Sequence, residues 1–180
     1  GAMAFTFLKA KGVNVGKSLF ENEMLDKALD ILRLAEQNNV QIILPVDVVC
    51  ANEYSPDTDI RICGINNMNN DDMGLDIGPE TTMIFEMILE DSEIVIWNGP
   101  LGAFELPPFS TGTHSIAYCI SKITKNRNVI SIIGGGDTAS SVISCNLDES
   151  YTHVSTGGGA SLEILSGKEL KFFLSWRKYE

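Results

Sequence analysis

The sequence is short of positive charge, of histidine and of long apolar runs, and each shortage excludes something. Its 13 lysines and arginines face 24 aspartates and glutamates, a formal charge of −11, which repels nucleic acid and anionic membrane surfaces over most of the protein. An anionic ligand must then be held by local dipoles or by a metal. His114 and His153 are the only histidines, too few and too separated for a metal cluster or a catalytic triad. His114, in a helical stretch, reads as structural; His153 is balanced between packing and a role beside a glycine turn. No window reaches the ~18 apolar residues of a membrane span, and no basic segment leads into an apolar leader. Cys50, Cys63, Cys119 and Cys145 form no C-x-x-C pair and sit mostly in apolar stretches, as reduced structural thiols do. A cytoplasmic setting without nucleic-acid or membrane partners is expected.

What is present is enough apolar side chain for one sizeable core, with 44% hydrophobic residues in 180, and an alternation of two periodicities. Ser18 with Glu21 reads as a capping box, and Met24, Leu25, Ala28, Leu29, Leu32 and Ala35 then recur at helical spacing, which predicts an amphipathic helix over 18–37. Short β-branched runs at 40–44, 94–97 and 129–133 predict buried parallel strands. Pro79 at a helix start and the stretch 109–123 predict two further helices. The Asn- and Asp-rich segment 52–76 predicts surface loops with one short strand near 60–63. Strand followed by helix, repeated, implies an α/β fold: a doubly wound, mostly parallel sheet with flanking helices, Rossmann-like.

Three β-like runs stop at glycine turns: Trp97-Asn98-Gly99-Pro100, Ile133-Gly134-Gly135-Gly136 and Ser155-Thr156-Gly157-Gly158-Gly159. Turns without Cβ atoms let backbone N–H groups approach a ligand, and a helix N-terminus adds about half a positive charge, so together they cradle a phosphate without lysine. In an open α/β sheet such turns converge beyond the carboxyl ends of the strands. Asp137, next to the second turn, divides evenly between helix cap and magnesium ligand. Glu105 divides between a solvated loop carboxylate and an acceptor for ribose hydroxyls.

Two motifs fail on inspection. Gly12-Val13-Asn14-Val15-Gly16-Lys17-Ser18 resembles a Walker A loop, but G-x-x-x-x-G-K-[ST] puts its first glycine at Lys11, and residues 5–10 read as the end of a helix rather than a strand. Lys17 is then a surface residue. Gly134-Gly135-Gly136-Asp137-Thr138-Ala139 satisfies the dinucleotide pattern, but about 20 residues on, where an acidic residue is wanted, the chain reads Ser155-Thr156-Gly157.

The turns keep particular company. Leu44-Pro45-Val46-Asp47, Met73-Gly74-Leu75-Asp76 with Gly78-Pro79-Glu80, the stretch 97–105 (WNGPLGAFE), the stretch 134–138 (GGGDT) and the stretch 155–163 (STGGGASLE) occur in that order, and together they resemble the phosphoglycerate kinase family from residue 1 to about 170. The resemblance implies reversible phosphate transfer between 1,3-bisphosphoglycerate and ADP by two lobes, with residues 1–180 a partial C-terminal nucleotide-binding lobe, incomplete at its N-terminal side. It implies Mg2+ with ADP or ATP as cofactors. Gly135, Gly136 and Thr138 would meet the nucleotide phosphates with Asn98 nearby, Asp137 the magnesium, and Glu105 with Pro100 the ribose. Gly1, Ala2, Leu19, Gly74, Leu75 and Ala103 would line the adenine slot. Gly136 and the glycines Gly157, Gly158 and Gly159 would face the migrating phosphoryl group. The phosphoglycerate substrates would be met only through the other lobe, whose arginines are absent here, and the intact protein is expected to be a monomer. An alternative is a non-catalytic nucleotide-binding or NAD-binding Rossmann-like module. One departure lies in the tail, where Gly167-Lys168-Glu169-Leu170 is followed by Lys171-Phe172-Phe173.

Overall fold

A computed structural model describes residues 1–157. Their contacts define two compact units: Gly1–Glu86 with Leu101–Ser115, and Met87–Pro100 with the described chain from Ile116 on. Each has its own three-stranded sheet.

The first unit opens with helix α1, Ala2–Ala10, which packs against helix α2, Leu25–Gln37. Strand β1, Asp47–Ala51, is central in an antiparallel sheet between β2, Arg61–Gly64, and β3, Met73–Ile77. All five residues of β1 are buried because both faces are covered. Val48 and Cys50 face a cluster with Phe5, Leu8, Val15, Ile65 and Met68. Val49 and Ala51, alternating with them, join Phe109 and the half-buried Leu75, Ala103 and Leu106. Gly74 stands opposite Cys50 in the ladder, where a Cβ would collide with the Phe5 ring.

Two strands end on buried carboxylates that hold helix N-termini. Asp47, at the start of β1, accepts the Thr81 N–H at 2.8 Å and the Thr81 hydroxyl at 2.6 Å on Oδ1, and the Glu80 N–H at 3.0 Å on Oδ2. These donors belong to the first turn of helix α3, Pro79–Glu90, whose leading N–H groups have no partner within the helix. Thr81 Oγ1 in turn accepts the N–H groups of Val46 and Asp47. Asp76 on β3 does the same for helix α4, Thr111–Arg127, accepting the Gly112 N–H at 2.7 Å. Gly78 packs against the Asp47 carboxylate, and Gly102 and Gly112 against that of Asp76, at distances that leave no room for a Cβ.

The second unit holds a parallel sheet in the order β4, Ile94–Asn98, then β5, Ile130–Gly134, then β6, His153–Ser155. Helix α4 links β4 to β5, and α5, Gly136–Ser144, links β5 to β6. Val95, Trp97, Ile120, Ile133, Val142 and Tyr151 are among its buried apolar residues. The Tyr151 hydroxyl donates to the Ala117 carbonyl at 2.9 Å, tying α4 to the turn before β6.

The α/β class and the parallel sheet flanked by helices are those expected, as are α3, α4, β4 and β5. Four local expectations need correction. Residues 40–44 form no strand: Val40 and Ile43 are 59% and 40% exposed, Pro45 has no N–H to give a ladder, and pairing begins at Asp47. The segment 52–76 supplies the expected short strand, β2, but also a second that was not expected, β3, beginning at Met73. The helix placed at 18–37 is α-helical only from Leu25, preceded by a 3-10 turn at Asn22–Met24. Ser18 and Glu21 form no capping box: the Ser18 hydroxyl accepts the Gly74 N–H at 2.9 Å, and the Glu21 N–H goes to Thr6 Oγ1 at 3.0 Å. Residues 5–10 are helical, so the glycines at 12 and 16 follow a helix and not a strand, and Lys17 pairs with Asp71 at the surface. None of the four cysteines is in a disulfide, as expected. Among the described residues no helix is long and apolar enough to cross a membrane.

Replacing Asp47 with alanine strands the Glu80 and Thr81 N–H groups in a buried setting. A loss of about 3 kcal/mol in urea unfolding is expected, and a change below about 0.5 kcal/mol would remove Asp47 from this role.

Candidate functional site

The residues singled out from sequence divide between the two units. In the second unit they lie on the carboxyl ends of the parallel strands. The register sets Asn98 beside Gly134 and Gly134 beside Ser155, so the three chain segments leave the sheet at one level. After β5 the chain turns through Gly135, at φ 96° and ψ 143°, straight into α5. That φ is strained for any residue with a side chain, and a Cβ on Gly135 would also lie 3.0 Å from Asn98 Oδ1.

Gly135 is the N-cap of α5, and no side chain caps this helix. Its leading N–H groups are left for solvent or a ligand. Gly136 and Asp137 are exposed, and the atom nearest a Cβ on Gly136 would be the Thr156 carbonyl oxygen at 3.9 Å. Thr138 is fully buried, and its Oγ1 accepts the Gly99 N–H at 2.7 Å. The bond fastens the loop after β4 to the first turn of α5, and Gly99 takes φ 103° to meet it. The Trp97 ring N–H donates to the Gly99 carbonyl at 2.7 Å from below. Past β6, the Gly157 N–H turns back to Ser155 Oγ at 3.3 Å. Gly158 and Gly159 lie outside the described residues.

Asp137 sits in the first turn of α5 without capping it. Among the described residues its carboxylate has no hydrogen-bond or ion-pair partner. An exposed carboxylate beside unpartnered N–H donors fits a hard divalent cation bridging it to an anion.

In the first unit, Gly1 is the N-cap of α1 and Ala2 its first residue. The Gly1 ammonium donates to the Leu101 carbonyl at 3.1 Å. The Ala103 N–H donates to the Leu75 carbonyl at 2.8 Å, and the Gly74 N–H bonds to Ser18, next to Leu19, whose side chain is 76% exposed. A bond to the Ser18 hydroxyl thus links Gly74 with the neighbourhood of Leu19, and a backbone bond links Leu75 with Ala103. Glu105 accepts a hydrogen bond from the Tyr54 hydroxyl, and this bond pushes the tyrosine pKa up to about 12. Sequence reasoning had not picked out Tyr54, because nothing in the 52–76 composition places it beside Glu105. Nor had it picked out Asp76, which burial raises to a pKa of about 6 against the opposing pull of the Gly112 and Ile77 N–H groups. Among the described residues, His114 Nε2 is buried with no hydrogen-bond partner.

Parallel strands whose carboxyl ends carry glycine turns, one of them opening an uncapped helix, define the class of α/β proteins that receive phosphate-bearing ligands at the strand ends. Known proteins narrow that class. A family model described as phosphoglycerate kinase matches residues 1–168. The chain is 48% identical over 170 residues to a phosphoglycerate kinase of Chloroherpeton thalassium, covering 94% of this chain and 43% of that protein. It is 46% identical over 170 residues to that of Dictyoglomus turgidum, covering 94% and 42%. The solved phosphoglycerate kinase from Coxiella burnetii matches with a TM-score of 0.88 at 41% identity, over 93% of this chain and 42% of the other. That from Pyrococcus horikoshii matches at 0.73 and 28%, over 93% and 41%. The chain belongs to the phosphoglycerate kinase family, and it spans little more than two fifths of the length of these relatives.

The Asp76 shift has a sign that can be worked out. Below the usual 3.8 the group is protonated in both folded and unfolded chains, and its contribution to stability is intact. Between 3.8 and about 6 only the unfolded chain ionises, so stability falls by about 3 kcal/mol as pH rises through that window. Asp76→Asn is expected to lower overall stability by losing one acceptor while flattening this slope in urea titrations from pH 3.5 to 6.5. An unchanged slope in the variant would show that another group carries the dependence.

Proposed function

We propose that this chain is the C-terminal, nucleotide-binding lobe of a two-lobe phosphoglycerate kinase, a cytoplasmic glycolytic enzyme that transfers phosphate reversibly between 1,3-bisphosphoglycerate and ADP. The single observation that supports it best, beside family membership, is the uncapped N-terminus of α5. It starts at the level where β4, β5 and β6 end, with Asp137 exposed and without a partner among the described residues beside it.

In this reading the N–H groups of Gly135, Gly136 and the first turn of α5 hold the nucleotide phosphates. Asn98 stands near them. Thr138 acts by holding Gly99 in place, since its hydroxyl is already committed and buried. Asp137 is the protein ligand for magnesium, which when bound neutralises charge on the phosphate chain. Glu105, oriented by Tyr54, and Pro100 receive the ribose. Gly1, Ala2, Leu19, Gly74, Leu75 and Ala103 supply an apolar surface for adenine. Gly136, with Gly157, Gly158 and Gly159, faces the phosphoryl group in transit.

In the direction of ATP synthesis, the acyl-phosphate bond of 1,3-bisphosphoglycerate breaks as a β-phosphate oxygen of ADP bonds to phosphorus, and 3-phosphoglycerate leaves as a carboxylate. Such a transfer demands positioning and charge stabilisation more than covalent help, which matches a site of backbone donors and one carboxylate. The phosphoglycerate itself would be bound by the other lobe, so the 180-residue chain alone is expected to bind nucleotide weakly and not to turn over.

Calorimetric titration of the chain with ADP and Mg2+ should give one weak site, no comparable heat with NAD, and at least a tenfold loss of the magnesium-dependent part of the affinity in Asp137→Ala. A preference for NAD would favour a dinucleotide module, and silence with both ligands an interaction module without catalysis. In a coupled assay the chain should show no ATP consumption dependent on 3-phosphoglycerate; measurable consumption would overturn the reading of an inactive lobe.

A further inference from the structure

Away from the glycine turns, the first unit carries a second cluster of metal-ligating side chains. Cys50 on β1 and Cys63 on β2 sit diagonally across the antiparallel ladder, Cys50 opposite Arg61 and Cys63 opposite Val48. Their sulfurs are 3.7 Å apart. Asp72, just before β3, brings a carboxylate to them, so that one ligand atom from each residue lies within 4.8 Å of the others, with all three residues buried. Cys50 and Asp72 also border a cleft of about 440 Å³ shared with Asn52, Arg61 and Asn69.

We propose that Cys50, Cys63 and Asp72 form a binding site for a thiophilic divalent cation of the zinc type, with a water from the cleft as fourth ligand. The sulfur spacing carries the argument. A tetrahedral centre with metal–sulfur bonds of about 2.3 Å holds two thiolates about 3.8 Å apart, which is the separation already present. A disulfide would instead need the sulfurs drawn to about 2.0 Å, across two strands that ladder bonds hold in register. A dithiolate with one carboxylate suits zinc, cobalt or cadmium in preference to magnesium or calcium.

The carboxylate is also held as a ligand should be. Asp72 Oδ2 accepts the Arg61 guanidinium and, at 2.6 Å, the Asn69 N–H, leaving Oδ1 to coordinate. Such outer partners fix a ligand's orientation and tune the site. Charge is consistent too: two thiolates and one carboxylate with the Arg61 cation beside them leave an excess that a divalent cation neutralises. Binding releases two protons, one from each thiol, and involves no change of oxidation state.

Cobalt(II) tests the site on the reduced 180-residue chain. One equivalent should bind with a thiolate-to-cobalt charge-transfer band and the intense visible bands of a tetrahedral centre, and one equivalent of Zn2+ should bleach both. Cys50→Ser and Cys63→Ser should each cut the charge-transfer band by half or more, and Asp72→Asn should weaken binding at least tenfold. Cys119→Ser and Cys145→Ser should keep the full spectrum. Should a serine variant fail to fold, the wild type still decides: Zn2+ should slow alkylation of Cys50 and Cys63 at least tenfold, mapped by mass spectrometry, without slowing that of Cys119 or Cys145. Absence of the charge-transfer band in the wild type, its survival at full intensity in either serine variant, or protection falling on Cys119 or Cys145 would overturn the proposal.

Discussion

Buried carboxylates that hold helix N-termini are the constraint on which the first unit depends. An uncapped helix start inside a protein strands several N–H groups, each costing on the order of 1–3 kcal/mol if left unpaired. Asp47 on β1 removes that cost for the start of α3, and Asp76 on β3 for the start of α4. Both carboxylates are themselves almost excluded from water, and at Asp76 the donors offset only part of the cost of burial, which still raises its pKa. The glycines at 78, 102 and 112 follow from this arrangement, because a side chain at any of them would occupy the space of a capping carboxylate. Sheet, helix start and glycine are one device repeated twice.

The second unit leaves its corresponding helix open. α5 begins at a glycine with no side-chain acceptor, and the acidic residue of its first turn reaches none of its N–H groups. Like α1 and α2, α5 has no side-chain cap among the described residues, and its donors and the dipole behind them lie open at the carboxyl ends of the strands. The hydroxyl of Thr138 and the ring N–H of Trp97 hold the neighbouring glycine loop from beneath. The open surface is therefore rigidly backed, as a site that works by positioning requires.

Much of this was legible one residue at a time. The β-branched runs at 94–97 and 129–133 became β4 and β5, though not as fully buried strands: buried Val95, Trp97, Ser131 and Ile133 alternate with neighbours that include the exposed Ile94 and Ile130. Pro79 marked the start of α3, since a residue without an N–H costs nothing in the first turn. The run at 40–44 misled because β-branched side chains favour extended backbone without guaranteeing a partner strand. The strand β3 was hidden by the reverse effect: Asp72 and Asp76 look like loop residues until one sees that they pair with or cap something. Ser18 and Glu21 had the spacing of a capping box, yet tertiary hydrogen bonds from Gly74 and to Thr6 claimed them.

The sequence by itself determined the α/β class, the glycine turns, the unbridged cysteines and the family, because these rest on residue types whose backbone freedom or periodicity is local. Only the tertiary structure decided the roles of individual polar side chains. It made Thr138 a brace for Gly99, left Asp137 without a partner among the described residues, joined Tyr54 to Glu105, and set two cysteines and an aspartate within reach of one cation. The physical reason is that a hydrogen bond or ligand set is a matter of a few tenths of an ångström between residues far apart in the chain. Pattern along the sequence carries no information on that distance until the strands are in register.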